Sequence, residues 1–148
     1  MKQALSDILL RLENTVNGEP WFGRSALSLL KEVNPELVYM KTGNGGHSLA
    51  DLLWHMITWA QFTLDRLEKK QEKDMTAFES LDWRTIDPAI HSWKNGIKEF
   101  TLIYGKISDL LKKKNDAFLE EKVDYRDYNV QFLLNGLIEH TIYHLGQI

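Results

Sequence analysis

A chain of 148 residues, 43% hydrophobic and 26% charged, has the make-up of one globular domain over residues 1–148 with a buried core. A formal charge of −3 opposes a nucleic-acid partner, which requires lysines and arginines gathered on one face. The lack of cysteine excludes disulfides, thiolate ligands and a cysteine nucleophile, and fits a reducing, cytoplasmic setting.

The start, Met1 to Asp7, is amphipathic and lacks the apolar run of a signal peptide. No stretch approaches the roughly 20 apolar residues of a membrane span. Leu5, Ile8, Leu9, Leu12 and Val16 mark one face of a first helix, ended by Asn17-Gly18. Ala26, Leu27, Leu29, Leu30 and Val33 form a second piece, stopped by Asn34-Pro35. It reads as a continuation of the first rod after Glu19-Pro20, or equally as a separate short helix.

Residues 34–47 form a loop with the turn-rich Gly43-Asn44-Gly45-Gly46. Ser48 then opens a helix, with Asp51 three residues on as in a capping box, and the helix is expected to end near Lys70. Leu49, Leu52, Leu53, Met56, Ala60 and Leu64 line its buried stripe. His55 sits on the flank of that stripe, roughly 40° from Trp59 on a helical wheel.

Asp87-Pro88 reads as the start of the next helix, a cap followed by proline at the first helical position. From Ile90 through Trp93, Ile97, Phe100, Tyr104, Ile107 and Leu111, apolar residues recur in threes and fours, as in the seam of a helical bundle. A last helix begins between Asp127 and Val130, with Leu133, Leu134, Leu137, Thr141, Leu145 and Ile148 facing inward. No segment shows the period-two alternation of a strand. The expected fold is all-α, a four-helix bundle with long connections at 34–47, 71–86 and 113–128, at least one of which crosses an end of the bundle or covers a site.

Five histidines are present, at 47, 55, 91, 140 and 144. His140 and His144, four apart, project from one helical face within roughly 60° and 20° of Leu137, so both point inward and can share one ion. His55 is a third candidate from another helix. Three neutral nitrogen ligands with open positions would make a catalytic metal centre. The alternative is a set of core histidines satisfied by carboxylates or carbonyls. His47 reads as a cap or loop residue with a minor claim as a ligand, and His91 as exposed.

The pair is not a zincin site, because Thr141 stands where His-Glu-x-x-His has its general base. Glu139, Asp51 and Tyr143 are candidates to support the ligands from behind. Among the tryptophans, Trp93 is expected in the core and Trp59 beside His55. Trp21 and Trp83 lie near breaks, where either could cover an opening.

Three passages resemble the DinB-like family: His47 to Trp59, Gly136 to Ile148 with its closing H-x-x-x-H-x-G-Q-I, and, more weakly, Glu19 to Ser25. The resemblance implies a four-helix bundle holding a divalent ion, nickel or zinc, on His55, His140 and His144. It also implies small-molecule chemistry, since relatives include bacillithiol or mycothiol S-transferases and a thiol-dependent isomerase. In such enzymes the metal presents a thiolate delivered by the cosubstrate. Hydrolysis by metal-activated water is the companion reading, and a non-catalytic bundle that binds a ligand or partner is the alternative. A homodimer through helical faces is a further reading. His144 lies four residues from Ile148, so fraying of its turn is expected.

Overall fold

The computed structural model describes residues 3–148; Met1 and Lys2, which open the amphipathic start, lie outside the described residues. In chain order the helices are α1 (Ala4–Asn17), α2 (Ala26–Glu32), α3 (Leu49–Leu67), α4 (Thr76–Asp82), α5 (Trp93–Lys112), α6 (Ala117–Glu120) and α7 (Val130–Leu145). There is no strand among the described residues, only an isolated bridge between Lys122 and Asn129. None of these helices is long and apolar enough to cross a membrane.

Side-chain caps set most of the helix starts. Ser25, Ser48, Ser92 and Asn129 each accept a backbone N–H from the residue three ahead, at α2, α3, α5 and α7. At α3 the arrangement is a full capping box, with the Ser48 N–H donating to Asp51 Oδ2 at 2.8 Å. Ser48→Ala is expected to destabilise the protein by about 1 kcal/mol. The check is the shift of the urea midpoint at unchanged slope.

The helix expected from Asp87-Pro88 begins instead at Trp93. Asp87 supports a single turn, accepting from Ala89 through its carboxylate and from Ile90 and His91 through its carbonyl. Ser92 then takes an extended backbone (φ −65°, ψ 151°) that no helix interior allows, and Ile90 is left exposed rather than on the seam. At its far end α3 stops at Leu67. Lys69 adopts a left-handed φ of 58°, and the Lys70 N–H reaches back to the Asp65 carbonyl, as in a Schellman stop with lysine in the usual glycine place. α2 is a separate helix packed on α1, α5 and α7, not a continuation of α1. The connections also contain α4 and α6, both missed by periodicity because neither exceeds two turns.

Every principal contact among the four long helices runs between α1 or α3 and α5 or α7. α3 and α5 are parallel, since Leu53 meets Gly96 near their starts and Leu67 and Leu110 share a cleft near their ends. A Cβ on Gly96 would lie 2.6 Å from Leu53 Cδ2, so glycine permits this close approach. α1 and α7 run the other way, with Arg11 donating to Asn135 between them. The order is therefore up-down-down-up. Parallel neighbours cannot be joined by a tight turn, so residues 68–92 must return along the bundle, and that return carries α4 across α3.

Phe100, Leu53, Met56, Ile107, Leu134 and Ile138 are among the fully buried side chains of the core. Thr141 belongs with them. Its hydroxyl donates to the Leu137 carbonyl at 2.8 Å and accepts from Tyr104 at 2.5 Å. Burial pushes the Tyr104 phenol up, keeping it protonated as the donor. The residue that breaks the zincin pattern is thus a core link to α5.

Candidate metal centre

His55 on α3 and His140 and His144 on α7 meet at the end of the bundle where α3 begins and α7 finishes. One ring nitrogen from each lies within 4.8 Å of the others, and the Nε2 atoms of His55 and His140 are 3.0 Å apart. Two donors on one ion with bonds of about 2.1 Å stand at most about 4.2 Å apart. The His55–His140 pair is inside that span; at the tetrahedral spacing of about 3.4 Å, the widest separation must close by about 1.4 Å at most. Two facing lone pairs repel unless a proton or a cation lies between them.

The outer nitrogens differ. His144 Nδ1 contacts Gln147 Oε1 at 2.5 Å. With that oxygen accepting, the proton sits on Nδ1 and Nε2 keeps its lone pair. This explains why a glutamine three residues after the histidine suits a ligand role. The terminal turn is also bonded, through Gly146, Gln147 and Ile148 N–H groups to carbonyls of α7. His55 Nδ1 is 2.6 Å from Asp82 Oδ1, which also accepts the Trp59 indole N–H at 2.9 Å. The His55 approach is close but misaligned for a hydrogen bond, so it acts chiefly through charge. His140 Nδ1 is buried without a partner. Three imidazoles, two supported from outside and one left orphaned, fit a divalent cation better than a satisfied polar core.

Asp82 was not recognisable as a neighbour of the cluster, whereas Trp83 is the tryptophan near a break that does cover an opening. The Trp83 indole stacks on His55 at 3.7 Å and on His47 at 3.8 Å, both nearly parallel, and two imidazoles cannot share one face of it at that spacing. The indole is therefore sandwiched and covers one side of the cluster. Flanking bonds hold the segment: Leu81 O accepts from Thr58 and from Arg84, and Arg84 also donates to Thr58. The one local sequence signal was Asp74, whose carboxylate accepts the Thr76 N–H in a turn just ahead of the short helix ending at Asp82.

The other candidates fall elsewhere. Asp51 is consumed by its capping box and faces Lys41. Glu139 and Tyr143 are exposed. His47 reaches the site only through Trp83, and His91 accepts the Asp87 N–H and edges onto Trp54, half-buried rather than exposed. Trp93 is core and donates to the Leu30 carbonyl. Trp21 is fully exposed and covers nothing. Trp59 lines a cavity of about 400 Å³ that opens beside His55 and His140.

Burial, then the nearby His144 and His55, push His140 from 6.5 down to about 4. Burial also lowers His55, against the opposing pull of Asp82. Both are therefore neutral near pH 7, the form a metal requires. The metal-free protein is expected to lose stability as pH falls from about 6.5 to 4, because the unfolded chain binds protons that folded His140 refuses. Below both values this contribution stays constant. Urea midpoints in chelator across that range are the check, and the slope should shrink in His140→Ala.

A helical bundle that turns three imidazoles inward at one end fits a metal-binding architecture. The family model described as the DinB superfamily matches residues 22–148, and the chain belongs to that superfamily. No curated protein matches it.

Proposed function

We propose that this protein is a metal-dependent enzyme acting on a small molecule by thiol transfer or hydrolysis, with nickel or zinc held by His55, His140 and His144. The observation that carries the reading is that the three imidazoles cluster beside a cavity large enough for a substrate, with His55 and His140 in its wall. A bound divalent ion supplies Lewis acidity, which lowers the pKa of a thiol or of water.

The protein's own groups do the remainder. Asp82 keeps the His55 proton on Nδ1, so that Nε2 faces inward. Trp83 shields the cluster on one side and limits water there. The cavity walls orient the electrophile toward the histidine end. Because the chain has no cysteine, the sulfur nucleophile in a transfer reaction arrives with the cosubstrate. Absence of cysteine also supports a cytoplasmic location.

The test is turnover by zinc- and nickel-loaded protein of an activated aryl halide and an aryl ester, each with and without a low-molecular-weight thiol. Thiol-dependent loss of halide supports transfer, and thiol-independent ester cleavage supports hydrolysis. No turnover in either metal form would favour a bundle that binds without catalysis.

A further inference from the structure

Resting on the enzyme reading above, we propose that the substrate body is aromatic, elongated and uncharged, lying along α3 and α7 with its reactive end at His55 and His140. The cavity lining runs from His55 to Thr63 on α3 and from His140 back to Phe132 on α7. Each path spans nine residues of helix, eight steps and about 12 Å. That is the length of two fused or linked rings with a reactive substituent.

Polarity is segregated along this length. Asp82 and the two histidines stand at one end, and no lysine or arginine lines the wall. Beyond them Trp59, Phe62, Leu137 and Leu133 offer no polar partner, and the only hydroxyls in the wall, of Thr63 and Tyr128, lie toward the far end. A hydroxylated or anionic body is therefore left largely unpaired, at a desolvation penalty. Trp59 and Phe62 meet edge to face at 5.1 Å, a geometry that a further ring extends. At the open end Tyr128 and Phe132 lie 5.1 Å apart, and Phe132 is 64% exposed. An apolar ring held in water at a cavity mouth suits the entry of an apolar ligand.

Gly136 supplies the second, independent observation. It sits inside α7, where glycine is disfavoured relative to alanine. Its φ is not in the left-handed region, and a Cβ there would meet nothing within 4 Å. Neither backbone nor packing requires glycine at this position. It is exposed and lines the cavity on its open side, where its missing side chain widens the room for the ligand body.

The experiment uses the zinc-loaded protein, with 2-naphthol as aromatic probe and a phenyl-free disaccharide of similar length as polar control. Binding is followed by calorimetry, and zinc content and melting temperature are measured on the same samples. Naphthol should bind at least tenfold more tightly than the disaccharide. Gly136→Trp should weaken naphthol at least tenfold with zinc content unchanged, while Gly136→Ala should fold at least as stably as wild type and weaken it less. Should Gly136→Trp fail to fold, Gly136→Leu gives the same reading. Equal binding of naphthol by the filled variants, or tighter binding of the disaccharide, overturns the assignment. Zinc retained without naphthol binding sinks this inference alone. Naphthol bound by protein that holds no zinc leaves the cavity assignment standing and removes the enzyme reading.

Discussion

His140→Ala is expected to weaken binding of zinc or nickel roughly a hundredfold while leaving the metal-free protein within about 1 kcal/mol of wild-type stability. Structural zinc sites contribute about 10–16 kcal/mol over four ligands, so one ligand accounts for about 3 kcal/mol, roughly a hundredfold in affinity. The small effect without metal follows from the surroundings of the ring. Its Nδ1 is buried and unpartnered, and its Nε2 faces only His55 Nε2. Removing it deletes an unsatisfied group as well as some contacts, and these oppose each other.

Metal at a hundredfold above Kd should stabilise wild type by about 2.7 kcal/mol, a rise of about 5–10 °C in melting temperature for a chain of this size. The variant should lose that rise. Metal content of tag-free protein and melts with and without zinc decide the matter. A large loss of stability in the metal-free variant, with wild type binding no metal, would show the histidines to be core residues.

Asp82→Ala is expected to weaken metal binding and any turnover by about 10–100-fold, with Asp82→Glu recovering part of both. The carboxylate stands 2.6 Å from His55 Nδ1 and is held in place by the Trp59 indole. Without it His55 can place its proton on Nε2, the nitrogen that faces His140, and the ring loses its orientation. A residue that merely braced α4 would alter stability without changing the ligand field. The distinguishing readout is therefore the visible spectrum of cobalt-substituted protein. It should change in Asp82→Ala and return toward wild type in Asp82→Glu, whereas identical spectra in all three would remove Asp82 from this role.

The amino-acid sequence by itself determined the four amphipathic helices, the caps at Ser48 and between Asp127 and Val130, and the inward direction of His140 and His144. All of these are local, since helical period and capping act over three or four residues. The same local logic misread Asp87-Pro88, because the Asp87 cap supports one turn and the decisive cap at Ser92 comes five residues later. It also offered Glu139, Asp51 and Tyr143 as supports. Two of these face water, and the third is spent on its own helix end.

His55 was legible as a candidate and, through resemblance to the family, as a partner of the closing pair. That α3 and α7 run antiparallel and bring it within 3.0 Å of His140 is a tertiary fact. So are the Asp82 support and the Trp83 cover. They depend on residues 68–92 returning between two parallel helices, and no periodicity within a connection records where that return passes. The room at Gly136 was likewise invisible, because a glycine inside a helix looks the same whether it faces a neighbour, solvent or an empty cavity. Local hydrogen bonding and hydrophobic period determined which residues became helix and which faces turned inward. The packing of distant segments alone decided what those faces enclose.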